Sequence, residues 1–383
     1  MIRLFLVSSH LSAVFQALYA KKSKEPHFID VLIIDDYFKK ESLVTSIIQT
    51  QEIYNWNYIF DFSTRLEDNQ SIRAGLRKRV LRRIKYLPVI KTIYTKLLNK
   101  HEKKNAELLR RKIITRFNEQ NIHDFKQVKL FMLTQTALNR GLMKAFPNAS
   151  VNYMEHGIGD YFYVSKLKTD FDNFYCAFDN GFKKYLNKRD LKIEQKVKPY
   201  LEQTDFEIAF KTIAHQSTAL NKLDRTKKYI LILLDAFECY EPDENFWTDF
   251  IDRCLKEIEN KSEYVFLFKP HPNQSNESIE LSLNHIKKQN IDFILLNSKG
   301  TASFAVESLF VALPNAIASV FTVFSSAVFY IAKYYPEKAN YYVLYDFVKP
   351  YTRKSPKQYI DIFDGLDELI TEVFDEGKII RLK

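Results

Sequence analysis

Three short stretches combine residue types that could do chemistry. VNYMEHGIGDYF sets a carboxylate beside an imidazole, Glu155 and His156, ahead of Gly157. FKPHPNQ holds Lys269, His271 and Pro272, and VFSSAVF holds Ser325 and Ser326. Each lies at the end of an apolar run of strand type. A carboxylate at a strand tip, with a glycine that lets a substrate approach closely, suits a general base. The same Glu could instead only stabilise a turn. Pro272 restricts His271 to extended backbone and ends its strand. The imidazole then stands beside Lys269, where it can bind a phosphate or give a proton to a leaving group, or simply belong to a surface loop. Two serines opening a helix present hydroxyls and backbone N–H groups to an anion. An ordinary N-cap uses the same residue type.

Other candidates carry less. Asp35-Asp36 follows an apolar run, where adjacent Asp residues commonly form turns. Ser8-Ser9-His10 lacks a strained nucleophile elbow, which argues against serine hydrolysis. There is no H-E-x-x-H, and with 8 Gly in the chain no glycine-rich phosphate loop is expected. The three cysteines, Cys176, Cys239 and Cys254, include no C-x-x-C pair, so a reducing compartment fits best and neither zinc nor a disulfide framework is indicated.

Elements that could position these residues alternate in type along the chain. Strands are expected at IRLFLVSS, DVLIID, NWNYIFDF, QVKLFMLT and SVNYMEHG, with helices at Leu11–Lys21 and TALNRGLMKAFP. A second set follows: strands KKYILILL, YVFLFKPHP, DFILLN, the start of AIASVFTVFSSAVFYIAKYY, and YYVLYD, with helices Phe246–Glu259 and Ser275–Gln289 and a closing helix in PKQYIDIFDGLDELITEVFDE. Short apolar runs alternating with helical patterns predict α/β halves with parallel sheets, whose ligands sit beyond the carboxyl ends of the strands. At 383 residues the chain exceeds one ordinary core. The polar segment 190–224 is the linker candidate. The expected divisions are 1–205, 206–355 and a C-terminal helix, 356–383, expected to pack back across the domains. The apolar region Phe304–Ala332 is interrupted by Glu307 and Pro314 and reads as buried core, not as a membrane span. The N-terminus reads as strand, loop and helix, without a convincing leader-cleavage pattern.

Charge is uneven. Between Arg73 and Arg116 sixteen Lys/Arg stand against two Glu, or +14, so the rest of this +10 chain sums to −4. A solvated helical face, a polyanion groove and a surface for anionic lipid are all compatible with such a block. No nucleic-acid reading motif accompanies it.

Taken in order, Glu155-His156-Gly157, His271-Pro272 and Ser325-Ser326 resemble the motifs of bacterial CMP-sialic-acid-dependent sialyltransferases, and most closely the bacterial α-2,8-polysialyltransferase family. The resemblance covers most of the chain, and its specificity lies in finding all three motifs at expected strand ends. It departs at His156, which stands where the family has a second acidic residue, so the base role carries over to Glu155 alone. The resemblance implies a GT-B fold: two Rossmann-like domains facing across a cleft, the N-terminal one holding acceptor and base, the C-terminal one holding CMP-sialic acid. It implies that Glu155 deprotonates the acceptor hydroxyl and that His271 meets the departing phosphate. Ser325, Ser326, Lys269 and Pro272 would hold the donor, with Glu307 on the ribose. Asp235 is a weaker candidate for the border of the nucleotide pocket. His156 and Gly157 would lie near the reacting groups. No cofactor or divalent metal is implied.

On this reading Arg73, Arg77, Lys78, Arg79, Arg82, Arg83 and Lys85 line a groove for anionic oligo- or polysialic acid. The implied function is capsule polymer synthesis in the cytoplasm, peripheral on the cytoplasmic face of the inner membrane, with that surface or a capsule export complex as partner and no nucleic acid. Two alternatives stay open from the sequence: a single-residue sialyltransferase capping lipooligosaccharide, and a non-catalytic polyanion-binding capsule-assembly protein.

Overall fold

The computed structural model describes residues 1–35, 50–62, 107–108, 110–134, 138–167, 171–216, 220–234, 245–271, 274–296, 305–323, 325–348, 351, 357–374 and 378–382. The chain divides into two compact units. Unit 1 is Met1–His156 with Leu167–Tyr175, and unit 2 is Gly157–Lys166 with Cys176–Lys383.

Unit 1 is built on β1 (Ile2–Val7), β2 (Ile29–Ile34), β3 (Tyr58–Asp61), β4 (Val128–Met132), β5 (Ser150–Met154) and β6 (Asn173–Cys176). They lie in the order β3-β2-β1-β4-β5-β6, all parallel. All six residues of β1 are buried, as a strand covered on both faces requires. One of them is Arg3, which faces Asp30 across the β1–β2 register. Its Nε donates to Asp30 Oδ1 at 2.5 Å and its Nη2 to Oδ2 at 2.6 Å. The remaining donors reach the Ser23 carbonyl and hydroxyl and the Ala20 carbonyl. All five guanidinium N–H groups are thereby satisfied. The Tyr54 hydroxyl also donates to Asp30. Helix His10–Lys22 opens with a capping box between Ser9 and Ser12, which gives the Ser8-Ser9 pair a structural task.

Unit 2 carries the short β7 (Val197–Pro199) and then β8 (Lys228–Leu233), β9 (Tyr264–Lys269), β10 (Phe293–Leu295), β11 (Ile317–Thr322), β12 (Asn340–Val343) and β13 (Ile379–Arg381). The order β10-β9-β8-β11-β12-β13 is again wholly parallel. Counted from β1 in the first sheet, which β7 extends to seven strands at its edge, and from β8 in the second, the six strands named run third-second-first-fourth-fifth-sixth in each, the doubly wound Rossmann order.

The chain partitions differently from the boundary expected at 205/206. Segment 190–224 is not a free linker: helix Gln203–Gln216 buries Phe206, Phe210 and Ile213, and the Phe206 ring lies 4.4 Å from that of Tyr334. The closing helix, Lys357–Glu372, falls within unit 2. Helices Gly159–Val164 and Asp179–Lys188 pack against it so tightly that a Cβ on Gly365 would fall 2.1 Å from a Phe162 ring carbon, and one on Gly181 2.4 Å from the Val373 carbonyl. Among the described residues no helix is long and apolar enough to cross a membrane.

Candidate functional site

Of the sequence-predicted groups within the described residues, Glu155, Lys269, His271, Ser325 and Ser326 lie at or just beyond strand ends, while Glu307 precedes a helix. In unit 1, Glu155 is the residue after β5. Its backbone N–H donates to the Tyr175 carbonyl of neighbouring β6 at 3.1 Å, and the residue is fully buried. The sheet therefore fixes its backbone at the carboxyl edge, where parallel α/β sheets bind ligands. His156 is half-buried.

The next residues belong to unit 2. The Ile158 N–H donates to the Ser326 hydroxyl at 3.2 Å across 168 residues of sequence. A Cβ at Gly157 would lie 2.9 Å from that same oxygen, so a side chain at 157 would displace the hydroxyl. Glycine leaves the hydroxyl free to stand against this backbone. Helix Gly159–Val164 is held from behind as well. The Tyr161 hydroxyl accepts from the Phe178 N–H at 3.1 Å, and its ring meets Phe182 and Phe374 edge-on.

Ser325 occupies the N-cap position of helix Ser326–Tyr334, yet its side chain makes no capping bond. Its backbone N–H donates to Thr322 Oγ1 at 3.0 Å. The ordinary cap weighed from sequence thus describes neither serine: Ser326 receives Ile158, and the Ser325 hydroxyl does not cap. Both stand at the end of β11, beside β8, the switch point of this sheet.

At the end of β9, Lys269 is buried, and its carbonyl accepts from the Leu234 N–H at 3.0 Å. His271 is half-buried, and its carbonyl accepts from the Gln274 N–H at 3.0 Å. Glu307 precedes helix Ser308–Ala312 and is only 3% exposed. It is not the helix-surface residue that would be its plain alternative. Burial pushes its carboxyl up to about 7, opposed by its own backbone N–H and by the Lys269 ammonium. The attraction ties Glu307 to the end of β9. Pro272, Asp235, Asp36 and the basic positions Arg73, Arg77, Lys78, Arg79, Arg82, Arg83 and Lys85 lie outside the described residues.

Two further polar groups escaped the sequence reading. Gln274 and Ser308 are buried next to His271 and Glu307, with side-chain atoms lacking hydrogen-bond partners among the described residues. Nothing in a run such as NQSN distinguishes a buried amide from a solvated loop.

Comparison with known proteins bears on both fold and family. Among solved structures the chain is similar to the S. aureus MnaA–UDP co-structure, with TM-score 0.55 and 13% identity, covering 98% of this chain and 91% of that one. It is similar to the UDP-GlcNAc 2-epimerase from Neisseria meningitidis bound to UDP-GlcNAc, with TM-score 0.53 and 13% identity over 99% and 95% of the two chains. The Methanocaldococcus jannaschii UDP-GlcNAc 2-epimerase in complex with UDP-GlcNAc and UDP gives TM-score 0.54 and 11% identity over 99% and 94%. Likeness at these identities is one of fold, two Rossmann-like lobes of GT-B type. No curated protein matches the chain in sequence. The model of the family described as alpha-2,8-polysialyltransferase (POLYST) matches residues 3–344, and the chain belongs to that family.

Proposed function

We propose that this polysialyltransferase moves sialic acid from CMP-sialic acid onto the non-reducing end of a polysialic acid acceptor, with inversion at the anomeric carbon. Membership of the family makes the protein a CMP-sialic-acid-dependent glycosyltransferase with a nucleotide-sugar donor and a polysaccharide acceptor. The residue roles are our reading. Glu155 takes the proton of the acceptor hydroxyl as its oxygen attacks the anomeric carbon. The bond from that carbon to the phosphate oxygen breaks, and CMP departs. His271 hydrogen-bonds or protonates the departing phosphate, with Lys269 adding positive charge. Ser325 and Ser326, at the opening of their helix, hold the phosphate. Glu307 accepts from the ribose hydroxyls, and Pro272 belongs to the donor-binding set.

The observation carrying this reading is the bond from Ile158 N–H to Ser326 Oγ beside Gly157. It joins the segment that follows Glu155 to the helix opening proposed for the phosphate. The basic segment around Arg77–Lys85 would hold the polyanionic acceptor by charge. It would also suit the anionic cytoplasmic face of the inner membrane, where we place the protein.

The test is Glu155→Gln. Transfer from CMP-sialic acid to a fluorescent sialic acid oligomer should fall by about 10²–10⁴-fold, while CMP affinity by calorimetry stays at the wild-type value. Wild-type transfer by the variant would remove Glu155 from the base role.

A further inference from the structure

Close to His271 in sequence stands a polar side chain that this chemistry does not use. Gln274 is 8% exposed, its backbone N–H is donated to the His271 carbonyl at 3.0 Å, and both its amide oxygen and its amide nitrogen are buried without a hydrogen-bond partner among the described residues. A primary amide offers one acceptor oxygen and two N–H donors. Buried groups of this kind are nearly always paired, and each one left unpaired costs about 1–3 kcal/mol. Gln16 shows the contrast: its amide oxygen is also unpartnered, but its nitrogen donates to the Leu6 carbonyl at 3.2 Å. Local rules that fail without compensation concentrate at functional sites, and this failure falls three residues from the group proposed to meet the leaving phosphate.

We propose that Gln274 is a specificity-determining residue of the donor site, hydrogen-bonding the polar edge of the cytosine base. Cytosine sets an acceptor, N3, beside a donor, the N4 amine. A Gln side chain bonds bidentately to the same kind of pair on the adenine edge. The inference rests on the donor assignment made above.

The experiment uses the full chain, with Gln274→Leu compared to wild type. It measures thermal unfolding without ligand, and calorimetric titration with CMP and with the CMP analogue lacking the 4-amino group. Leu removes a buried unpaired amide, so the ligand-free melting temperature should stay level or rise. CMP affinity should fall about tenfold or more. Wild type should prefer CMP to the analogue, and the variant should lose that preference. A lowered melting temperature with unchanged CMP affinity would make Gln274 structural and overturn the proposal. Weakened CMP binding with the preference retained would overturn its assignment to the base. Failure of the wild type to bind CMP would instead remove the donor assignment on which the proposal stands. If Gln274→Leu does not fold, Gln274→Met carries the same readouts.

Discussion

Two buried polar clusters, one in each unit, are built in opposite ways. Arg3 and Asp30 sit at the amino ends of β1 and β2, and every guanidinium N–H has an acceptor. Lys269, Glu307 and Gln274 gather around the carboxyl end of β9 or follow it in sequence. There burial raises one carboxyl to about 7, and one amide is unpartnered among the described residues. The first cluster is a closed hydrogen-bond account that fixes two strands against each other. The second keeps polar capacity in reserve at the end of the sheet where ligands bind. Satisfaction, more than burial, separates a structural polar group from one kept for chemistry.

The largest test of this contrast is Arg3→Leu. Removing one partner leaves Asp30 as an uncompensated buried charge, which costs about 3–5 kcal/mol of stability. Urea unfolding should show that loss, while CMP affinity at a temperature where the variant is folded stays unchanged. A parallel loss of CMP affinity would erase the distinction between the clusters.

Glu307 supplies the second test, through pH. Its folded carboxyl titrates near 7, against an ordinary value of 4.5. Ionising it therefore costs the folded state. The penalty is absent below about 4.5, grows as pH rises towards 7, and is complete above that. Two and a half pH units correspond to about 3 kcal/mol. Relative to Glu307→Gln, which has no charge to gain, wild type should lose stability on that scale between pH 4.5 and 8. A difference between the two proteins that does not vary with pH would show that burial does not penalise the Glu307 carboxylate.

The smallest effect sharpens the contrast at the Gly157 contact. Gly157→Ala should cost about 0.5–1.5 kcal/mol, because the new Cβ meets the Ser326 hydroxyl at 2.9 Å and turns it away from the Ile158 N–H. Adding Ser326→Ala should recover part of that stability, since the Ser326 Cβ is 3.7 Å away. Transfer should not recover if the hydroxyl also serves the donor. Restored transfer in the double variant would reduce Ser326 to a packing role.

Much of this architecture was legible before any coordinates. Strands such as IRLFLV and YILIL announce themselves because a strand covered on both faces must be apolar throughout. The expected residues Glu155, Lys269, His271, Ser325 and Ser326 all fall at or just beyond strand ends. The short strand Asn173–Cys176 and the helix Asp179–Lys188 were not foreseen. Neither was the packing of the polar segment 190–224, because its apolar residues gain a meaning only from the Tyr334 ring they meet.

What the sequence determined by itself is therefore periodic or local: strand and helix runs, the motifs at their ends, and a concentrated block of positive charge. What only the tertiary structure decided is pairing across distance. The Ser326 hydroxyl receives an N–H 168 residues earlier and stands where a Cβ at Gly157 would meet it, Arg3 is fully satisfied, and the Gln274 side chain is buried without a partner among the described residues. Periodicity is a property of neighbours along the chain. Hydrogen-bond satisfaction and steric fit are properties of atoms that only folding brings together.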